Sequence, residues 1–384
     1  MSAPPRVLLT VGADTEQDTS AGPRRDYAVL ADSLGATIID RRDVARSRVA
    51  RALNAIGGIG PAEAWLAYRC RSRYDVIVTD GEHAGIPLAL LLRTSRSTVK
   101  HVTIGHRLSA RKKRRFFTVL RVHQRIDRIA LHSRHQYDTA VGELGVQPSR
   151  AALIPYQVDT RYWTPRDTPA EPLIVSAGLE YRDYPTLFRA VEGLDLQVVI
   201  GAASRWSRHV TDAEQPPSNV RVDRFDYAAL RDLYARAALV VVPLTDVDNQ
   251  AGVTTILEAM AMGKAVVVTQ TIGQTDVVED RRTTPRAGLR HRGVSLARVV
   301  AGNAGVQIDA NGFYVAPGDA DGLRRAIVYL MAHPDERARL GLAGRRLAEQ
   351  IFTVEDFAER MRELVLSCLQ GAPAGALSRR ALYG

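Results

Sequence analysis

The sequence predicts an α/β protein with two doubly wound, parallel-sheet domains that face a central cleft. Its 384 residues are too many for one ordinary hydrophobic core and suit two domains. Short β-branched runs alternate with longer amphipathic stretches, which is typical of parallel strands flanked by helices. This alternation stops once, in a segment rich in proline and aromatic residues between 151 and 168, and then starts again. Each half of the chain is therefore expected to form its own sheet.

The first half contains five predicted strands with helices between them. The strands are expected at 6–11, 37–39, 76–79, 102–104 and 128–131, and two of the helices at 26–34 and 86–93. Loops with glycine, aspartate or histidine follow three strands, with the sequences Gly12-Ala-Asp, Asp80-Gly-Glu-His83 and Gly105-His106-Arg107. Ligands of doubly wound sheets bind at the carboxyl ends of strands. These loops are therefore candidate site segments, although His83 is also compatible with simply ending its strand.

The second half repeats the alternation. Strands are predicted at 173–177, 197–200, 239–243 and 265–269, with helices at 184–191, 227–237 and 254–262. An arginine-rich stretch with poor periodicity at 280–302 is interpreted as an inserted loop, and 354–366 has the period of a terminal amphipathic helix. The predicted domains are 1–167 and 168–355, both Rossmann-like, followed by a C-terminal segment at 356–384.

The composition is that of a globular protein in a reducing compartment. Apolar residues make up 46% and charged residues 24% of the chain. Cys70 and Cys368 are isolated, which argues against both a disulfide framework and a cysteine metal site. The strongest apolar run, 86–92, is far too short to cross a bilayer, and the N-terminus lacks an export signal. A cytoplasmic location is expected.

The formal charge of +10 predicts anionic partners. The densest positive charge lies in 107–128, where Arg111-Lys-Lys-Arg-Arg115 precedes Phe116, Phe117 and Leu120. Such a run is compatible with a solvated helix face. It also fits docking on an anionic membrane, for example on the inner face of the cell membrane. Nucleic acid is not expected, because no recognition helix or aromatic platform accompanies the charge.

The most informative segment follows the strand that ends near Pro243. A polar loop with a glycine leads into a helix, and the free amides and dipole of a helix start attract anions. Glu258 lies one turn into this helix, where it can accept hydrogen bonds from sugar hydroxyls. The next strand is followed by Gly273-Gln274-Thr275. Two phosphate-compatible loops are therefore predicted at the same edge of the sheet.

This segment resembles the donor-binding signature of family 4 glycosyltransferases, which are retaining enzymes of the GT-B fold. In that family a Glu-x7-Glu motif precedes a helix of small residues and a glycine loop. Glu258 stands at the second glutamate, which the resemblance implies binds the donor ribose. Gln250 stands eight residues earlier, at the glutamate that contacts the transferred sugar, so negative charge is lost there. The family's glycine in this loop is displaced to Gly252.

Three further segments extend the resemblance. Ala177-Gly-Leu-Glu-Tyr-Arg182 looks like the family's loop whose basic residue reaches the donor diphosphate, with Leu179 where a second basic residue is common. Val102-Thr-Ile-Gly-His106 is similar to the strand that ends in the active-site histidine. Phe352-Thr-Val-Glu-Asp-Phe357 looks like the start of the helix that crosses back to the first domain. The implied donor-binding residues are Arg182, Gln250, Gly252, Val253, Thr254, Thr255, Glu258, Gly273, Gln274 and Thr275, and the implied catalytic residues are His106 and Gln250.

The resemblance implies a retaining hexosyltransferase that takes sugar from a nucleotide diphosphate donor. The acceptor is a small molecule, a glycan or a lipid-linked compound. Catalysis would depend on positioning and on electrostatic stabilisation of the departing diphosphate by Arg182 and the amides at 253–255, with no metal and no other cofactor.

Three alternatives remain at this stage. Another GT-B enzyme, such as a sugar-nucleotide epimerase or a glycosyl phosphorylase, would consume the donor without an acceptor or would need phosphate. A non-catalytic GT-B binding or scaffold protein is suggested by Gln250 and Leu179. A nicotinamide-dependent dehydrogenase fits the two domains but lacks the glycine fingerprint after the first strand, and Gly57-Gly-Ile-Gly60 has no strand before it.

Overall fold

A computed structural model describes residues 4–16, 22–201, 215–280 and 308–374. The chain forms two compact units. The first combines the N-terminal part up to Pro155 with the C-terminal segment from Val354, and the second spans Tyr156–Thr353. The segment 156–167, placed in the first domain by the sequence prediction, is grouped with the second unit. Apart from Asp280, the predicted insertion at 280–302 lies outside the described residues.

The sheet of the first unit has six parallel strands in the order β2-β1-β3-β4-β5-β6. The strands are β1 (Val7–Thr10), β2 (Thr37–Ile39), β3 (Val76–Thr79), β4 (Lys100–Gly105), β5 (Arg128–Leu131) and β6 (Ala151–Leu153). Five were predicted, because buried parallel strands are continuous β-branched runs. The short edge strand β6 contains no β-branched residue and was missed.

Helices cover both faces of this sheet. They are α1 (Asp26–Leu34), α2 (Arg41–Arg46), α3 (Arg48–Gly57), α4 (Ile59–Cys70), α5 (Glu82–Arg93), α6 (Arg111–Thr118) and α7 (Arg134–Gly142). Successive strand residues point to opposite faces. Leu9 packs with α1 residues in one core, whereas Leu8 packs with Ala64 of α4 and Leu88 of α5 in another. Helix α5 begins four residues before its predicted start and therefore includes His83.

The second unit contains another six-stranded parallel sheet, in the order β12-β11-β10-β7-β8-β9. Its strands are β7 (Leu173–Ala177), β8 (Gln197–Gly201), β9 (Val220–Asp223), β10 (Leu239–Val242), β11 (Ala265–Thr269) and β12 (Gly312–Val315). Its helices are α8 (Tyr184–Val191), α9 (Tyr227–Arg236), α10 (Val253–Ala261), α11 (Ala320–Ala332) and α12 (Pro334–Ile351). The predicted fold class, two doubly wound parallel sheets in an α/β protein, is confirmed.

The last helix, α13 (Val354–Gln370), belongs to the first unit and is longer than the sequence period suggested. Phe357, Met361 and Leu364 are buried in the core that α1 shares with the sheet. Arg24 pairs with Glu355 at 2.7 Å at the start of the helix. Within the described ranges, no helix has both the length and the apolar character needed to cross a bilayer.

Candidate functional site

Helix α10 begins at a glycine whose conformation other residues rarely adopt. Gly252 has φ of +76° and caps the helix without a side-chain hydrogen bond. A Cβ atom there would lie 2.7 Å from Cγ1 of Val242, so space as well as backbone conformation requires glycine. The first amides of a helix have no intrahelical acceptor, and the dipole makes this end positive. The start of α10 is therefore suited to an anion.

Arg182 adds a guanidinium group at this helix start. Its Nε donates to the Ala177 carbonyl at 2.9 Å, and its Nη2 donates to Oγ1 of Thr255, a buried residue of α10, at 3.2 Å. Gly178, with φ of +93°, makes room for it, because a Cβ there would lie 2.5 Å from Nη2. Burial lowers the pKa of Arg182, but a guanidinium keeps its charge in proteins. The arginine and the helix dipole thus act in the same direction.

The loop that carries Arg182 is tied to the loop that follows β10. The amide of Asp183 donates to the Pro243 carbonyl at 3.1 Å, and the amide of Thr245 donates to the Tyr181 carbonyl at 3.0 Å. Arg182 itself forms an isolated antiparallel bridge with Leu244. These contacts hold the guanidinium in register with the start of α10.

Glu258 is buried on α10 and has a partner that sequence reasoning missed. The Tyr234 hydroxyl of α9 donates to Oε2 of Glu258 at 3.2 Å. Burial raises the pKa of Glu258 to about 8, although Tyr234 and the charge of Arg182 oppose the shift. Tyr234 lies within the predicted helix 227–237, but nothing in that pattern indicated its contact with Glu258, because the two residues stand in different helices, α9 and α10.

The loop after β11 packs directly on the loop before α10. Gly273 touches Asn249 so closely that a Cβ atom would overlap the Asn249 carbonyl oxygen. Nε2 of Gln274, which is fully buried, donates to the Ala251 carbonyl at 3.0 Å. The convergence of the two predicted loops is thereby observed, and glycine at 273 is required for space.

Four side-chain oxygens in these two loops are buried and have no hydrogen-bond partner among the described residues. They are Oδ1 of Asn249, Oε1 of Gln250, Oγ1 of Thr271 and Oε1 of Gln274. Buried polar atoms in proteins are nearly always paired, and an unpaired one costs about 1–3 kcal/mol. Four such acceptors in adjacent loops, next to the positive end of α10, are suited to a ligand that carries hydroxyl donors and an anionic group.

The structure thus brings the ten predicted donor-binding residues of the second unit into three contacting loops and helix α10. Thr254 is exposed and Thr275 half-buried there. Asn249 and Thr271 were not predicted; both stand in the loops that the sequence singled out. Leu179 packs against the apolar core of the second unit and supplies no charge.

His106 lies in the first unit, immediately after β4, and is exposed. Its backbone amide donates to Oε2 of Glu82 at 2.9 Å, and the amide of Arg107 donates to Oε1 at 3.0 Å. Lys113 pairs with the same carboxylate. Burial acts to raise the pKa of Glu82, but His106, Lys113 and these hydrogen bonds outweigh it and lower the pKa to about 2. The imidazole of His106 stays available, 5.5 Å from the ring of His132.

The basic segment 107–128 differs from its predicted form in one respect. Phe117, expected beside the charges as a membrane-facing residue, is fully buried in the core with Leu108 and Val122. The exposed apolar residues are instead Val119 and Leu120, at 72% and 42%. Phe117 stands at the position of α6 that the helical period places on the side of the core.

Across the described ranges, no group of three or more His, Cys, Asp or Glu side chains is arranged to hold a metal ion. The metal independence of the site stays a prediction.

Residues 183–291, which include both loops and α10, match the family described as glycosyl transferases group 1. No curated protein matches the chain by sequence. Among solved structures, a glycosyltransferase from Rickettsia africae ESF-5 is 14% identical, with a TM-score of 0.65, and the match covers 96% of this chain and 99% of that one. Sucrose-phosphate synthase from Thermosynechococcus elongatus is 16% identical, with a TM-score of 0.65 and coverage of 96% and 100%. HepE from Anabaena, solved with UDP and glucose, is 14% identical, with a TM-score of 0.63 and coverage of 94% and 100%.

The fold is that of the GT-B glycosyltransferases. The family match lies within the second unit, at 183–291, and the prediction of a glycosyltransferase enzyme is confirmed at this level. Membership of the retaining family 4 stays a prediction.

Proposed function

We propose that the protein transfers a hexose, with retention of anomeric configuration, from a nucleoside diphosphate sugar bound in the second unit. The observation that carries this proposal is the set of four buried, unpaired oxygens beside the positive start of α10. A sugar nucleotide offers both partners at once, because its hydroxyls donate hydrogen bonds and its diphosphate is anionic. HepE of Anabaena, a structure of the same fold, was solved with UDP and glucose.

The side chains fall into three roles. The diphosphate lies at the amides of Val253, Thr254 and Thr255 and against the guanidinium of Arg182. Oε1 of Glu258 accepts a ribose hydroxyl, because Oε2 is occupied by Tyr234. The hydroxyls of the transferred sugar donate to the side-chain amide oxygens of Gln250 and Gln274. Thr275 and the backbone of Gly252 and Gly273 shape the pocket.

The transfer needs no protein nucleophile. The acceptor oxygen forms a bond to the anomeric carbon as the bond from that carbon to the β-phosphate oxygen breaks. The acceptor's proton passes to the departing phosphate oxygen. Arg182 and the helix start stabilise the charge that develops on the diphosphate, which is the role a metal ion would otherwise take. His106 donates a hydrogen bond to the sugar or to the developing transition state.

Titration calorimetry with UDP-, GDP- and ADP-glucose tests the donor site. We expect one of the three to bind, and Arg182→Ala to weaken its binding at least 10-fold, since a charge-assisted contact to phosphate is lost. Arg189→Ala is the matched control, because Arg189 is an exposed arginine of α8. If no nucleotide sugar binds, the protein is a scaffold and the proposal fails.

Product analysis separates the enzymes that share the fold. Retention is read from the anomeric proton of the product by NMR, and EDTA should leave the rate unchanged. Conversion of the donor sugar into its epimer without release of nucleoside diphosphate would show an epimerase instead.

The same proposal includes a location at the cytoplasmic face of an anionic membrane. Arg111, Lys112 and Arg115 are exposed on α6, and Val119 and Leu120 are exposed directly after it. Basic residues beside exposed apolar ones are typical of surfaces that dock on anionic lipid. A lipid-linked acceptor would be reached from this surface.

Flotation with vesicles of phosphatidylglycerol tests the membrane contact, and the difference from phosphatidylcholine vesicles gives the part due to charge. We expect binding to the anionic vesicles only, and its loss in the double variant Val119→Asp/Leu120→Asp. Leu342→Asp is the control, because Leu342 is a similarly exposed leucine of the second unit. Binding that ignores lipid charge would contradict the assignment.

A further inference from the structure

The imidazole of His106 is held by no hydrogen bond among the described residues. The backbone amide of His106 donates to Glu82, but neither ring nitrogen has a hydrogen-bond partner there. The residue is exposed, and an unrestrained side chain can occupy three staggered rotamers about its first torsion angle. Packing must therefore select the rotamer that faces a ligand.

The ring of His132 packs against the ring of His106. The two ring centroids are 5.5 Å apart and the planes are inclined by 35°, within the range of paired rings. Each histidine is the first residue after its strand, and the neighbouring parallel strands β4 and β5 pair Gly105 with Leu131. The register of the sheet therefore sets the contact between the two rings.

His132 is itself fixed by two further contacts. Its Nδ1 lies 3.0 Å from the carbonyl oxygen of Ile154, and since a carbonyl only accepts, this nitrogen carries the proton. The ring of Phe357, from α13, lies 6.0 Å away between centroids. Both His132 and Phe357 are buried, at 4% and 2% exposure. The exposed ring of His106 therefore rests on a ring that is held in place.

Burial also restricts the chemistry that His132 can perform. It lowers the pKa of His132 to about 3, and the nearby imidazole of His106 acts in the same direction, while hydrogen bonding to the carbonyls of Ile154 and Pro155 opposes the shift. His132 is therefore neutral at physiological pH, and it neither repels a protonated His106 nor exchanges a proton with it. As a buried ring it offers little surface to a ligand.

We propose that His132 is a positioning residue for His106: its ring selects the rotamer from which His106 donates to the sugar or to the transition state, and Phe357 holds His132 in place. The inference rests on the proposed function, because His106 needs a defined orientation only if it contacts the reacting sugar. It also adds a role for α13, which connects the C-terminal part of the chain to His106 through two ring contacts.

Crossed substitutions separate the ring of His132 from its hydrogen bond. His132→Phe keeps a ring and loses the donor to Ile154, whereas His132→Gln keeps an amide donor and loses the ring. The test measures release of nucleoside diphosphate from UDP-, GDP- and ADP-glucose by hydrolysis, per folded molecule, and donor affinity by calorimetry. If three rotamers become equally populated, the competent fraction falls to about one third. We therefore expect His132→Gln to lower turnover about 3-fold or more at unchanged donor affinity, and His132→Phe to retain the natural rate.

A buried histidine elsewhere in the sheet is the control for lost stability. His101 is fully buried, with its Nε2 3.3 Å from Oγ1 of Thr79, and it stands near the start of β4, whereas His106 follows the end of that strand. His101→Gln should lower the melting temperature and leave turnover unchanged. Phe357→Leu should lower turnover, because the support of the ring is lost. Met361→Leu, at another buried residue of α13, should not.

NMR of the unliganded protein tests the ring contact without a substrate. The chain contains nine histidines, and in protein with isotope-labelled histidine the variant His106→Ala identifies the resonance of that ring. We expect a nuclear Overhauser effect between the rings of His106 and His132. The His106 resonance should shift in His132→Gln and stay in place in His101→Gln.

Four results would overturn the positioning role. They are absence of the Overhauser effect, equal turnover in His132→Gln and the natural protein, lower turnover in His132→Phe than in His132→Gln, and a loss confined to donor affinity. If the natural protein shows the ring contact but releases nucleoside diphosphate from none of the three donors, the proposed function fails first, and the role of His132 fails with it.

Discussion

The hydroxyl of Tyr234 lies 3.2 Å from Oε2 of Glu258, and both side chains are buried. Tyr234 belongs to α9 and Glu258 to α10, so this hydrogen bond fixes the glutamate from outside its own helix. The Tyr234 ring also makes an edge contact with Trp163, at 5.6 Å between ring centroids. Tyr234 therefore sets the orientation of the Glu258 carboxyl group without needing to contact the ligand itself.

Tyr234→Phe keeps the ring contact with Trp163 and removes only the donor. Because Glu258 loses a partner in a buried place, we expect a stability loss of about 1–3 kcal/mol. We also expect several-fold weaker binding of the nucleotide sugar. Urea unfolding and calorimetry measure the two effects, with Tyr329→Phe at an exposed tyrosine as the control. Unchanged donor affinity would show that the orientation of Glu258 does not matter for binding.

Glu258 also makes stability depend on pH. Its ordinary pKa near 4.5 is raised to about 8 by burial. Between these values the unfolded chain is ionised at this residue while the folded protein holds the proton, so stability should fall as pH rises through this window. Glu258→Gln imitates the neutral form and should flatten the fall in melting temperature between pH 5 and pH 8. Glu192→Gln, at an exposed position, should leave it unchanged. Parallel curves for Glu258→Gln and the natural protein would reject the assignment.

The same residue separates donor binding from chemistry. Glu258→Ala should abolish binding of the nucleotide sugar, since the ribose contact and the Tyr234 pair are both lost. His106→Ala should instead lower turnover on the order of 100-fold to 1,000-fold, as for loss of one hydrogen bond to a transition state. Its donor affinity should change less, and His333→Ala is the control. The fold should tolerate His106→Ala, because the backbone amide of residue 106, which donates to Glu82, is retained in the variant. The reverse pattern of effects would contradict both roles.

Glu82 supports the loop that carries His106, and its pKa near 2 gives the opposite pH dependence. Its contribution is complete above its ordinary pKa of 4.5 and is lost as pH falls toward 2. For this nearly fully buried carboxylate, the shift in pKa corresponds to on the order of 3 kcal/mol of folding free energy. Glu82→Gln should therefore lower the melting temperature at pH 7 and lower it less near pH 3, as measured by scanning calorimetry. An equal loss at both pH values would mean that charge is not the cause.

Local patterns explain which parts of the fold were predictable. The strand Val76–Thr79 is apolar or β-branched throughout because both faces are buried, and this is visible in the sequence. Gly252 and Gly273 stand in loops that the strand–helix alternation already located. Ala151–Leu153 is a strand only because β5 pairs with it, so its own residues gave no signal.

The candidate site was likewise predictable only where its residues stand in a recognisable local pattern. Arg182 and Glu258 stand in segments with their own motif. His132 has no motif of its own, and only the pairing of β4 with β5 brings its ring against His106. Phe117 appeared to belong to a surface segment, although the helix period places it in the core. Contacts between elements distant in sequence carry the information that was missing.

Gly273 gives the most local test of the two-loop arrangement. Alanine at this position would bring its Cβ into the Asn249 carbonyl oxygen, and backbone atoms cannot move aside as a flexible side chain can. Gly273→Ala should therefore displace the loop that holds Asn249 and Gln250 and weaken nucleotide-sugar binding at least 10-fold. The unit as a whole should stay folded, because its core strands are not involved. Calorimetry and circular dichroism measure the two properties.

The control for this change is Gly142→Ala, at the end of α7. A Cβ atom there meets nothing within 4 Å, so alanine should be neutral or slightly stabilising. If Gly273→Ala binds the donor as tightly as Gly142→Ala does, then the loop after β11 does not shape the pocket. In that case the unpaired oxygens of Gln250 and Gln274 would not serve a common ligand, and the donor site would have to be placed elsewhere in the second unit.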